Sequence, residues 1–183
     1  MAILPQLVRR NVFITIASDE YRHNQPESRH EEYRLHPLFQ SFLLRRFRAD
    51  VGRAGVAIEQ ARVAGYFLGR GQWELAMPHL LAAEEFRQAA EVVAKNGAAW
   101  IASGALNSMS AAVDVLPAEA LERHPRALSF RAEAARLCGE YDAAQAMLRR
   151  ATTLLQAQGD SAGARRLQER AVRSGRTADS ERK

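Results

Sequence analysis

From Leu38 onward the apolar residues of this 183-residue chain fall at three- and four-residue steps, the period of one helix face. Leu38, Phe39, Phe42, Leu43 and Phe47 form the first such stripe, and it predicts a helix that buries them. His36-Pro37 opens that helix, because proline is tolerated at a first helical position where the N–H has no partner. Arg45, Arg46 and Arg48 close it, where cations offset the helix dipole. Upstream the period changes. Residues 12 to 16, Val-Phe-Ile-Thr-Ile, are β-branched or aromatic and read as a short strand. The polar stretch from Asp19 to His30 cannot continue it, and Glu32-Tyr33-Arg34-Leu35 alternates and pairs back as the second arm of a hairpin. A helix ending near Arg9 is expected before the hairpin.

After Gly52 the chain is rich in alanine and other helix formers. The pattern predicts helices at 54 to 69, 72 to 82, 86 to 95, 97 to 103, 105 to 115, 118 to 123, 125 to 138, 141 to 157 and 161 to 172. Gly71, Gly97, Gly104, Pro117, Pro125, Gly139 and Gly159 supply the breaks. Two hexapeptides match, Gly71-Gln72-Trp73-Glu74-Leu75-Ala76 and Gly139-Glu140-Tyr141-Asp142-Ala143-Ala144, and they lie 68 residues apart, twice the tetratricopeptide period of about 34. Ala76, Ala83, Ala144 and Ala151 supply small residues for helix crossings, while Trp73 and Tyr141 are the expected core anchors. The middle unit is irregular, since Gly104-Ala105-Leu106 comes one residue early. From Arg173 to Lys183 no apolar period remains, and a disordered polar tail is expected. The fold class is therefore mainly α. A tetratricopeptide-like helical-repeat solenoid (54–172) follows a β-hairpin and helix that outline the end of a partial winged-helix unit (1–50), and a tail (173–183) closes the chain.

Composition narrows the function classes. No run of about 18 apolar residues spans a membrane and no signal peptide opens the chain, so a cytoplasmic protein is expected. All but two of the 26 basic residues, Lys95 and Lys183, are arginine, and the net charge is +5. The arginines are interleaved with acids, which reads as a salt-bridged surface rather than a nucleic-acid footprint. Cys138 has no disulfide partner and reads as a small buried hydrophobe. There is no GxxxxGK[ST] loop, and the serines lie on helices without a strand-to-helix elbow. His23, His30, His36, His79 and His124 lack metal-ligand spacing, and His79 reads as a partly exposed helix residue. No catalytic residue, metal site or cofactor is assigned, and an enzyme is not expected. The aromatics Tyr66, Phe67, Trp73, Phe86 and Trp100 are read as core. A partner or ligand groove is placed on the first helix of the second full repeat, at Arg126, Ser129, Glu133 and Arg136, whose helical spacing aligns them on one polar face.

The stretches RRNVFITIASDE and EEYRLHPLFQSFLLRRF resemble the winged-helix segment that precedes the helical arm of MalT-like, LuxR-family ATP-dependent transcriptional regulators. AGYFLGRGQWELAMPHLLAAEEFRQAAEVV and the GALNSMSAAVDVLPAEALERHPRALSFRAEAARLCGEYDAAQAMLRRA stretch are similar to the start of that arm. The resemblance covers about residues 4 to 157. It implies a signal-sensing, protein-interaction arm that receives a protein partner or small inducer and takes part in self-association. The nucleotide-binding and DNA-binding modules of that family lie outside these residues, so DNA binding by this chain alone is not expected. Two alternatives stand beside it: a nucleic-acid-binding adaptor using the hairpin and the arginines at 45 to 48, and a free-standing tetratricopeptide binder of short peptides.

Overall fold

The computed structural model describes residues 14–16 and 33–181, with side chains from 34 to 171. The chain divides into two compact units at Val56 and Ala57. In the first, β1 (Ile14–Ile16) pairs antiparallel with β2 (Tyr33–Leu35), Ile14 opposite Leu35 and Ile16 opposite Tyr33. The hairpin expected from the alternating pattern is present in these residues; Val12, Phe13, Glu32 and the helix expected before Arg9 lie outside the described residues. Helix α1 (Pro37–Leu68) follows. Its start is capped by His36, whose Nδ1 accepts from the N–H of Leu38 at 3.3 Å and whose carbonyl accepts from Gln40 at 2.9 Å. Gly52, with φ 66° and ψ −178°, breaks the helical path, so two helical segments meet there.

One expectation fails in this unit. The stripe from Leu38 to Phe47 was expected to be buried, yet Leu38 is 76% and Phe42 50% exposed, and Phe39 and Phe47 are only half-buried. Apolar periodicity states which residues share a face; burial also requires a facing element, and the described residues of this unit supply none.

The second unit is helical: the end of α1, then α2 (Trp73–Ala82), α3 (Phe86–Ala102), α4 (Leu106–Asp114), α5 (Ala118–Arg123), α6 (Pro125–Leu137), α7 (Tyr141–Ala157) and α8 (Ser161–Glu181). The matching hexapeptides mark identical turns. Gly71 (φ 70°) and Gly139 (φ 82°) adopt the left-handed conformation that side chains avoid. In each, the next N–H reaches back to the carbonyl four residues before the glycine, Gln72 to Phe67 at 3.0 Å and Glu140 to Ala135 at 2.8 Å. Those bonds satisfy carbonyls that the helix end would leave open, so both helices stop there.

Small residues then allow close crossings. Ala76, Ala144 and Ala151 are fully buried, while Ala83 is half-buried at the C-terminal cap of α2. The core lies in two clusters on either side of α6. The first joins α2 to α6 around Met77, Leu80, Val93, Trp100, Met109 and Val113. The second joins Leu128 and Ala132 of α6 to Leu148, Ala151 and Leu155 of α7 and to Ala164 and Leu167 of α8. Trp100, 3% exposed, is the buried indole; its N–H donates to Ser108 Oγ at 3.1 Å, and Trp73 stands beside it at 5.1 Å between ring centroids. Trp73 is itself only half-buried, as is Tyr141.

Three further differences have local causes. Gly97 does not end a helix; it lies inside α3, where Phe130 of α6 packs directly on its backbone. Cys138 is exposed, not buried, because it caps the C-terminus of α6 after that helix has left the core. Helix α8 continues to Glu181, past the boundary expected near 172 and through residues expected to be a disordered tail. Lack of an apolar period does not by itself end a helix, and no proline interrupts residues 161–181. No helix among the described residues is long and apolar enough to cross a membrane.

Candidate functional site

Helix α6 starts with Pro125 at its first position and His124 as its N-cap. This start sets which faces the following residues present. Ala127, Leu128 and Ala132 go to the cores, and Arg126, Ser129, Glu133 and Arg136 fall on a neighbouring stripe, as their spacing requires. Beside the first part of that stripe lies a cavity of about 210 Å³ between α6, the end of α7 and α8. Phe130, Leu155 and Leu167 form its apolar floor, and Arg126, Arg166 and Arg170 provide its charged wall. Leu155 and Leu167 also belong to the second core cluster, so the floor is built from packed side chains.

The α7–α8 turn fixes the rim. Gly159 takes φ 80°, and the N–H of Asp160 donates to the Leu155 carbonyl at 3.0 Å. The Asp160 carboxylate then accepts from the N–H of Gly163 at 2.8 Å, an N-cap that starts α8. A Cβ on Gly163 would collide with this carboxylate, so glycine lets the cap lie flat against the first turn. At the other end, Gln158 donates from Nε2 to the Glu122 carbonyl at 2.6 Å and ties the end of α7 to α5.

The four sequence-predicted residues share α6 but not one task. Arg126 and Ser129 line the cavity. Ser129 is buried, and its hydroxyl donates to the Arg126 carbonyl at 2.7 Å, so its proton is already used within the helix. Glu133 and Arg136 lie a turn further on and form an ion pair at 2.8 Å. Glu133 also receives Arg170 of α8 at 2.8 Å, joining the two helices across the pocket edge. Hydrogen bonding from Arg136 is the main reason that the Glu133 carboxyl is held below the usual glutamate range; burial opposes it and the charge of Arg170 adds to it. The same bond raises the Arg136 guanidinium.

Arg166, Arg170 and Asp160 were not singled out from the sequence. The available signal was the i, i+4 pair Arg166 and Arg170 flanking the apolar position Leu167, but locating it opposite Arg126 requires the packing of α8 on α7 and α6. Among the described residues no carboxylate pairs with Arg126 or Arg166, and Asp160 is the single acid against three guanidinium groups in the lining. The cavity therefore carries a net positive charge above an apolar floor, which suits an anion with an apolar body.

A larger cavity of about 620 Å³ lies between the start of α3 and α5, beside Glu84, Glu85, Glu91, Glu119, Arg87 and Arg123. It is the weaker candidate despite its size. Several of its charges are neutralised on their own helices, Glu91 by Lys95 at 2.6 Å and Glu119 by Arg123 at 3.3 Å, and these exposed pairs define no consistent ligand charge.

The aromatic residues read as core divide in the structure. Trp100 is buried, Phe67, Trp73 and Phe86 pack half-buried on the first cluster, and Tyr66 is 55% exposed beneath the Arg70 guanidinium at 3.7 Å. His79 is half-buried, stacked on Phe67 with centroids 5.7 Å apart, and its Nδ1 shares a 2.6 Å hydrogen bond with Gln60, which gives it a packing role. No family model, curated protein or solved structure matches the chain.

Proposed function

We propose that this chain is a signal-sensing and protein-interaction module, a tetratricopeptide-like helical-repeat arm of the kind found in MalT-like ATP-dependent transcriptional regulators. The observation that carries this reading is the pair of identical left-handed glycine turns at Gly71 and Gly139, each leading into a helix that begins with an aromatic residue and buries an alanine three positions later. A structural unit recurring at a multiple of the tetratricopeptide period is compatible with a stacked helical array. The cavity beside α6, where Arg126 and Arg166 have no acidic partner among the described residues, supports a receptor role in such an array. In this reading the cytoplasmic arm passes on the presence of a partner or small inducer to nucleotide-binding and DNA-binding modules elsewhere in the same protein.

The test is the DNA sequence on both sides of the coding region. A phosphate-binding loop encoded upstream and a helix-turn-helix encoded downstream are expected; the absence of both contradicts the regulator reading. Retention of random duplex DNA by the chain at low salt, falling steeply as salt rises, would instead favour the nucleic-acid adaptor, since phosphate neutralisation releases counterions.

A further inference from the structure

We infer that the pocket between α6 and α8 binds a small organic acid, its carboxylate taken by Arg126 and Arg166 and its apolar stem laid on Phe130, Leu155 and Leu167. This deepens the sensing role proposed above by naming a ligand class for the same site, and it rests on that reading for its regulatory meaning.

Charge selects an anion. Three guanidinium groups line the cavity against one carboxylate, and that carboxylate is engaged by the Gly163 N–H. Arg170 is shared with Glu133, whose own carboxyl stays ionised because Arg136 donates to it. Arg126 and Arg166 have no such partner among the described residues, so an incoming anion need not displace an existing ion pair. A divalent cation would face net repulsion from the same wall.

The floor selects an organic anion over an inorganic one. Leu155 and Leu167 are nearly fully buried apart from the surface they turn to the cavity, and Phe130 completes the apolar patch. Inorganic phosphate would satisfy the arginines and leave this patch wet, whereas a short hydrocarbon stem would cover it. Size limits the stem. At about 210 Å³ the cavity falls below the roughly 300–1,000 Å³ of sites for drug-sized ligands, so it fits a compact acid. Position adds a consequence: the ligand would touch α6, α7 and α8 together, adding α7 to the α6–α8 pair that Glu133 and Arg170 already join.

Titration calorimetry on the full chain at low ionic strength tests this with four probes: 4-methylpentanoate, the neutral 4-methylpentan-1-ol, inorganic phosphate, and a leucine-terminated tetrapeptide with a free C-terminus. Saturable one-to-one binding of 4-methylpentanoate is expected. The alcohol and phosphate should each bind at least about tenfold more weakly, the order of one lost charge-assisted contact or of the lost stem. The double variant Arg126→Ala/Arg166→Ala should lose at least about tenfold in affinity while keeping the wild-type circular dichroism spectrum, and Arg126→Lys/Arg166→Lys should recover part of it. Equal binding of acid and alcohol, phosphate binding as tightly as the acid, unchanged affinity in the double alanine variant, or no binding of the acid to wild-type chain up to about 10 mM would each overturn the assignment. Binding of the tetrapeptide without the free acid would also overturn it, and would place a peptide terminus at the site. These outcomes are separable from the gene-neighbourhood test: acid binding without flanking modules would sink the regulator reading alone, and flanking modules without acid binding would sink this assignment alone.

Discussion

Replacing Gly97 with alanine tests the packing on which the pocket depends. Gly97 lies at the crossing of α3 and α6, and an added Cβ would enter the van der Waals envelope of Phe130 Cγ and Cδ2 and stand 2.9 Å from Phe130 Cβ. A change of the Phe130 χ1 angle can swing Cγ and the ring away but leaves Cβ in place, so the helix backbones must separate. Overpacking of this kind costs about 1–3 kcal/mol, and the geometry places Gly97→Ala at the upper end. Alanine in a helix interior returns about 1 kcal/mol relative to glycine, leaving a net loss of about 2 kcal/mol. For a chain of this size that corresponds to a fall in Tm of about 4–8 °C. Urea and thermal unfolding followed by circular dichroism measure it, and a cycle with Phe130→Ala isolates the cause. In the Phe130→Ala background the Cγ and Cδ2 contacts are gone while the 2.9 Å Cβ contact remains, so the loss from Gly97→Ala should shrink to about 1 kcal/mol or less, a coupling of at least about 1 kcal/mol. A Gly97→Ala variant that is stabilised by about 1 kcal/mol in the wild-type background would refute the close crossing, because that is the outcome for an uncrowded helix.

Other predictions follow from single contacts. Asp160→Ala removes the cap on Gly163 and should cost about 1 kcal/mol in the same unfolding assays, with unchanged stability as the contrary result. Glu84 is the one non-glycine described residue with positive φ (60°), in a turn whose Glu85 N–H bonds the Leu80 carbonyl at 2.9 Å as in the two glycine turns. Glu84→Gly should therefore stabilise by about 0.5–1 kcal/mol after loss of its side-chain contact, and a measured loss would contradict this. For Glu133, a folded-state carboxyl held below its unfolded value of about 4.3 stabilises the fold fully above that value and loses this contribution as pH falls through the lowered folded value. Wild type should therefore exceed Glu133→Gln in Tm near neutral pH, with the gap closing below about pH 4; a gap that persists to lower pH would show that the Arg136 and Arg170 contacts are not its source.

Much of the helical architecture was legible because its signals are local. The glycine turns at Gly71 and Gly139, the proline that starts α6 and the buried Ala76, Ala144 and Ala151 all follow from what a backbone and a Cβ permit. Gly97 was misread because glycine serves two purposes, ending helices and admitting a neighbour, and only the position of Phe130 tells them apart. The Leu38–Phe47 stripe and Cys138 were misread for a related reason: periodicity assigns a face, while burial depends on what packs against it. Of the four residues that spacing places on one face, Arg126 and Ser129 line the cavity, and Glu133 and Arg136 form an ion pair at its edge shared with Arg170; the rest of the lining comes largely from α8, some forty residues later in the chain, where spacing along α6 gives no signal.

A ligand seated between α6 and α8 must slow backbone exchange in the helices that it touches. Hydrogen–deuterium exchange of the full chain with and without 4-methylpentanoate measures this directly. Slowed exchange confined to residues 125–137 and 155–170 is expected; unchanged exchange in those segments, or protection centred on residues 84–91 and 117–123 instead, would refute a site between α6 and α8.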